Sequence, residues 1–280
     1  MFNITNYPLM PRPRNSTRNL PRTSAEAVPW SWAMFGGTLG LLLAMVFLGP
    51  ASWLAVALDR ITSGRIQLVE TVGTVWTGSG KLLLTGGAGS RDRAALPGRA
   101  SWKLRPHGFA LGLELNAECC TPQPLKARVQ PHWRGVSVQI VDSASEWPAS
   151  LLAGLGAPWN TLQARGSLQL VTQDLSLKWF QQQLTATGRA ELTAVALTSS
   201  LTTLKPMGTY QLSLVGAKAN EFKLITLEGG LQLSGVGRWI GPRLNFEGIA
   251  SAAAGYEAAL ANLLNIIGRR NGPNSIITLG

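Results

Sequence analysis

Hydrophobic and polar positions divide this chain into two regimes. No charged residue occurs between Glu26 and Asp59, and beyond Asp59 apolar and polar positions alternate with a period of two. Leu111, Leu113 and Leu115 alternate in FALGLELN, Val136, Val138 and Ile140 in GVSVQIV, and Leu168 and Leu170 in GSLQLV. Ala190, Leu192 and Ala194 follow, then Tyr210, Leu212 and Leu214, then Leu231 and Leu233. Each set predicts a strand with one apolar face, and the glycines between sets supply antiparallel turns. The expected fold is mainly β: a curved, meandering antiparallel sheet of roughly ten or more strands, not a parallel α/β sheet. Its greasy face must be closed, sandwiched or covered. It packs as a core or encloses a groove for an apolar ligand.

Two helices interrupt the alternation. Pro148–Leu155 predicts a short one with proline in its first turn. The second is amphipathic and runs near 253–267, with Tyr256, Leu260, Leu263, Leu264 and Ile267 on one stripe. Gly268 is the expected stop, and Arg269 and Arg270 stand where the helix dipole favours cations. This helix either covers an open end of the sheet or presents the stripe to a partner protein.

The uncharged run Trp32–Gly49, WAMFGGTLGLLLAMVFLG, predicts a membrane-spanning helix. Trp30 and Trp32 flank one end and Trp53 the other, where indoles favour the two water interfaces. Trp32, Gly36, Gly40, Leu43 and Phe47 are candidate anchor residues, with Gly36 and Gly40 a small-xxx-small pair for close helix approach. Arg12, Arg14, Arg18 and Arg22 precede the run, so the N-terminus is expected in the cytoplasm and the remainder across the membrane. A cleaved signal peptide ending at Ala55-Val56-Ala57 is the competing expectation, but its charged lead and apolar run would both be too long. The expected organisation is a disordered cytoplasmic tail over 1–29, the transmembrane anchor and its flanks over 30–58, and a β-rich domain over 59–280 on the far side of the membrane.

GTVWTGSGK, residues 73–81, resembles a phosphate loop only superficially. The pattern G-x-x-x-x-G-K-[ST] needs glycine where Val75 stands and a hydroxyl where Leu82 stands. A strand–turn–strand is expected instead, with Thr77-Gly78-Ser79-Gly80 as the turn and a strand beginning at Lys81. A polar loop through Arg91-Asp92-Arg93 then leads to a strand over Arg99–Arg105.

Composition narrows the chemistry. Charged residues make up 14% of 280 residues, and the net charge is +11. Apart from the N-terminal arginines the cations are scattered, without the aromatic interleaving of a nucleic-acid platform, so no nucleic-acid partner is expected. His107 and His132 are isolated, no G-x-S-x-G elbow occurs, and no acidic pair stands out. Gly235-Val236-Gly237 meets Ile240 where a dinucleotide fingerprint needs glycine. No catalytic, metal-binding or cofactor-binding residue is predicted. Cys119-Cys120 either closes a vicinal disulfide in an oxidising compartment or leaves two thiols at a strand end.

Four segments in order, TVGTVWTGSGK with Gly86-Gly87, LGAPWNTL, LTTLKPMGTY and LLNIIGRRNG, resemble the type II secretion system protein N family. The resemblance covers roughly Pro50 to the C-terminus. It makes Gly73, Trp76, Gly78, Pro158, Trp159, Asn160, Gly208, Gly268, Arg269 and Arg270 fold-defining positions. It implies an inner-membrane protein of Gram-negative bacteria, largely periplasmic, that is a non-enzymatic accessory of the machine exporting folded proteins through the outer membrane. Its implied partners are other secretion components, the inner-membrane platform or the secretin. The alternative is a periplasmic lipid or hydrophobic-ligand carrier with an AsmA-like β-groove, an analogy at the level of fold.

Overall fold

The computed structural model describes residues 30–279 apart from 158, 182, 217–220 and 241–242, and only the backbone of 31, 215–216, 239–240, 243–244 and 279. The expected disordered tail over 1–29 and the motif residue Pro158 lie outside the described residues. The chain divides into two units, Met1–Ala44 and Met45–Gly280, with the boundary inside the first helix.

That helix, α1 (Trp30–Leu48), has 19 residues and no acidic or basic side chain in its end turns or between them. Taken by itself it is apolar all round, and its described side chains are exposed. At 1.5 Å per residue it reaches about 28 Å, against a hydrocarbon core of about 30 Å. Among the described residues no helix is long and apolar enough to cross a membrane. The expected span over 32–49 is corrected in its bounds: the run is helical from Trp30 to Leu48, and Gly49 lies outside the helix. Pro50, in extended conformation, begins a separate helix α2 (Ala51–Ile61).

The alternating runs form one antiparallel sheet of sixteen strands. Its first part comprises β1 (Ile66–Gly73), β2 (Thr77–Thr85), β3 (Arg93–Ala95), β4 (Ala100–His107), β5 (Ala110–Ala117), β6 (Leu125–His132), β7 (Gly135–Ile140) and β8 (Ser143–Pro148). A 3-10 turn (Ala149–Leu155) and α3 (Trp159–Leu162) lead into β9 (Arg165–Phe180) and β10 (Gln183–Thr198). Then come β11 (Gly208–Gly216), β12 (Glu221–Gly229), β13 (Leu231–Ile240), β14 (Arg243–Ala252), α4 (Glu257–Ile267), β15 (Arg269–Asn271) and β16 (Asn274–Leu279). The spatial order is β1-β2-β4-β5-β6-β7-β9-β10-β11-β12-β13-β14-β16-β15, with β3 beside β2 and β8 beside β9. Most neighbours are consecutive in sequence, the signature of a meander built from hairpins.

The six alternating sets all fall in strands: Leu111–Leu115 in β5, Val136–Ile140 in β7, Leu168 and Leu170 in β9, Ala190–Ala194 in β10, Tyr210–Leu214 in β11, and Leu231 and Leu233 in β13. The helix expected at 148–155 is a 3-10 turn with Pro148 just before it rather than in its first turn. Strand β4 begins at Ala100, and β3 interrupts the loop expected before it.

The turn expected at 77–80 lies earlier. It is formed by Thr74, Val75 and Trp76, closed by the Thr74 amide donating to the Thr77 carbonyl at 2.9 Å, and Thr77–Gly80 belong to β2. Gly73 holds φ +99, a conformation that suits glycine at the turn's entry. Gly78 stays in the strand because the Trp102 ring occupies its space: a Cβ there would sit 2.5 Å from the ring.

Among the described residues three apolar clusters hold the sheet. The largest joins α4 to the sheet through Leu260, Leu263, Leu264, Tyr210, Leu231, Ala250 and Met207. Another, beneath the 3-10 turn, gathers Leu96, Ala117, Cys120 and Leu151, and the third gathers Ala149, Ala164 and Leu168. Burying three leucine side chains of α4 contributes on the order of 1.5–3 kcal/mol each.

Candidate functional site

The expected partner-contact helix is the cover of the sheet. Leu260, Leu263 and Leu264 are fully buried against β11, β13 and β14, Ile267 is half-buried, and Tyr256 is exposed at the N-cap position. The three leucines are therefore unavailable to another protein. Gly268 ends α4 in extended backbone, φ −169, and not in a left-handed cap. Its missing side chain lets β16 approach: a Cβ would lie 2.4 Å from the Ile276 carbonyl oxygen. Arg269 and Arg270 sit in β15 opposite Ile276 and Ser275, not on the last helical turn.

The motif positions near the N-terminal edge tie loops together. Trp76 donates its indole N–H to the Val46 carbonyl at 2.7 Å, and the Val75 amide donates to the Gly49 carbonyl at 2.9 Å, so the β1–β2 turn grips the chain entering α2. Trp102 donates to the Val75 carbonyl at 3.1 Å. Asn160, on α3, donates to the Asp92 carboxylate at 3.0 Å across 68 residues of sequence. Its neighbour Trp159 is partly exposed. Gly208 opens β11 opposite Gly229 of β12. Gly36, Gly40, Leu43 and Phe47 lie on α1 with Trp32, and no atom stands within 4 Å of where a side chain on Gly36 or Gly40 would begin.

Cys119 and Cys120 form a vicinal disulfide in the β5–β6 turn. The Cys120 and Thr121 amides both donate to the Ala117 carbonyl, and Cys120 is buried under Leu151 and Leu96. This resolves the alternative left open by sequence in favour of the oxidised pair.

Among the described residues the chemically reactive groups do not converge. His132 Nε2 lies 3.0 Å from Ser137 Oγ, a contact not foreseen from sequence. Among the described residues no acidic side chain forms an ion pair with that ring. Among the described residues no three His, Cys, Asp or Glu side chains come together to hold a metal ion. Tyr210 is the one group whose ionisation is clearly displaced among the described residues: burial pushes its phenol well above the ordinary value, and its hydroxyl has no hydrogen-bond partner.

Two surfaces are left as candidate sites. A trough of about 760 Å³ lies on the sheet face turned away from α4, lined by Lys223, Val236, Arg238, Glu247, Ile249 and Ile276. Its mixed charges and open form suit no compact apolar ligand. The second is an apolar face across β4–β10. Pro106, Leu111, Val129, Val138, Leu177 and Ala186 stand opposite one another in a single row across six strands. A second row joins Leu104, Leu113, Ala127 and Ile140. None of these side chains is buried. The sequence showed each strand's alternation but not that these rows would lie outside the cover of α4.

A family model described as type II secretion system (T2SS), protein N, matches residues 64–277. Comparison with curated proteins and with solved structures gave no match.

Proposed function

The chain belongs to the type II secretion system protein N family, and from that premise we propose that it is a non-enzymatic accessory of a type II secretion system, held in the inner membrane by α1, with its sheet in the periplasm supporting export of folded proteins. The observation that carries this reading is the extent of the match, which begins just before β1 and ends within β16. Family membership makes other secretion components its partners in general terms.

The anchor is supported by α1 itself, an uncharged helix with apolar side chains on every side. At about 28 Å it is slightly short for an average bilayer, and short helices are accommodated by local thinning with flanking indoles at the interface. Arg12, Arg14, Arg18 and Arg22 ahead of it favour a cytoplasmic N-terminus. The Cys119–Cys120 disulfide favours an oxidising compartment for the sheet.

A second reading, a carrier of lipid or another apolar ligand, is favoured by one observation: the rows across β4–β10 are apolar yet incompletely covered. Site-specific photocrosslinking in cells separates the two. A photoreactive residue replacing Val129 is expected to capture a secretion component. Exclusive capture of phospholipid would transfer support to the carrier. Capture of neither would remove the open face from both accounts.

A further inference from the structure

Three hairpin turns project from one end of the sheet. The β4–β5 hairpin closes at His107 and Ala110, β6–β7 at His132 and Gly135, and β9–β10 at Phe180 and Gln183. Gly135 stands opposite Phe180, which sets the second and third turns level. Leu111 opposite Val129 places the first turn only slightly short of them. Successive turns are two strand spacings apart, about 10 Å.

Each turn carries an aromatic side chain at or beside its tip. Phe109 is 98% exposed, Trp133 is 99% exposed and Phe180 is 50% exposed. Exposure rises toward this end along a single strand: Trp102 is buried, Leu104 half-buried and Pro106 exposed. A lone exposed apolar residue needs no explanation, but three on adjacent turns of one sheet end form a patch.

The charges at this end have one sign. Arg105, Arg128, Arg134 and Lys178 are exposed, and none forms an ion pair among the described residues. The segments 104–113, 127–140 and 175–190, which build the end, contain no aspartate or glutamate. The first acids met along the strands are Glu114, opposite Lys103 and Lys126, and Asp142, Asp174 and Glu191. In sequence these cations are scattered; the strand register gathers them beneath the aromatic tips.

Like charges held together without compensating acids repel, and exposed indole and phenyl rings lie unfavourably in water. A surface that offers both negative charge and an amphipathic boundary removes both penalties. We propose that this end of the sheet docks on the surface of a bilayer containing anionic phospholipid, with Phe109, Trp133 and Phe180 entering the headgroup boundary and Arg105, Arg128, Arg134 and Lys178 facing the headgroups. Aromatics at turn tips fit a planar boundary. A single-stranded nucleic acid is instead stacked along side chains on a strand face. The inference depends neither on the secretion role nor on how α1 is seated.

The test uses the full chain held in nanodiscs of phosphatidylcholine, mixed with separate vesicles with or without phosphatidylglycerol and separated by flotation. Nanodiscs carrying the chain are expected to float with phosphatidylglycerol vesicles and far less with phosphatidylcholine vesicles. Each cation removed should weaken binding about fivefold at low salt, so Arg105→Gln, Arg128→Gln and Lys178→Gln together should cost about a hundredfold. The combined Phe109→Ser, Trp133→Ser and Phe180→Ser variant should also lose flotation while keeping the circular dichroism of the native sheet. An environment-sensitive label on Trp133→Cys should report an apolar surrounding only when vesicles are present. Absence of flotation by the native chain would overturn the proposal. So would undiminished flotation of both variants, or a label that stays in water while the nanodiscs float. Preferential binding of an oligonucleotide or a protein through the same residues, with vesicles ignored, would also overturn it.

Discussion

Strands β5 and β7 and strands β11 and β13 share the same period-two pattern, yet their apolar faces meet different fates. Under α4, Tyr210 and Leu231 are buried with Leu260, Leu263 and Leu264. In the β4–β10 region, Leu111, Val129, Val138 and Leu177 remain only half-buried. The difference lies in the segment that comes after each region along the chain. After β14 comes an 11-residue helix whose apolar stripe matches the sheet beneath it. After β7 come only β8, a seven-residue 3-10 turn and a four-residue helix, which cover the base of the region and not its outer rows. Alternation states that a strand has a greasy face; it does not state what covers that face.

The comparison can be broken most forcefully at α4. Leu263→Ala should cost about 2–5 kcal/mol of stability, because it removes a fully buried side chain from the sealed region. Val138→Ala, in the open region, should cost less than about 1 kcal/mol. Denaturation of the two variants under identical conditions checks this. Equal losses would mean that the open rows are covered as well as the sealed ones.

A smaller effect sharpens the packing argument. Gly78→Ala should cost about 1–3 kcal/mol, since the new methyl group meets the Trp102 ring and the Val72 carbonyl. Pairing it with Trp102→Leu should recover part of the loss; no recovery would place the conflict at the Val72 carbonyl instead.

The smallest effect concerns Tyr210. Its phenol ordinarily ionises near 10, and burial raises that value in the folded chain. Above pH 10 the unfolded chain releases this proton while the folded chain retains it, so this contribution makes stability fall as pH rises. Tyr210→Phe should flatten that fall and leave stability at neutral pH nearly unchanged, because the buried hydroxyl has no partner to lose. Unfolding followed from pH 8 to 11 measures it, and an unchanged slope would mean that the hydroxyl is not held from water.

Much of the fold was legible because it is written locally. The alternation located the main strands, and the spacing from Leu260 to Ile267 located α4. What was not legible depends on contacts distant in sequence. The turn near Gly78 was misplaced because Trp102 decides where glycine is needed. Gly268 was expected as the stop of the helix, whereas proximity to Ile276 is what requires glycine there. Short strands such as β3 and β15 carry too few residues to show a period. The role of the α4 stripe was ambiguous until its leucines were seen buried. The cationic end was hidden for the same reason: Arg105, Arg128 and Lys178 meet only through the register of β4 to β9.

The most direct test of the functional account is secretion by a strain lacking this chain, complemented with the full chain or with one beginning after residue 48 behind a cleavable export signal. The account expects type II substrates to accumulate in the periplasm without the chain, the full chain to restore them to the medium, and the unanchored form to restore little. Undiminished secretion in the strain lacking the chain would contradict the account.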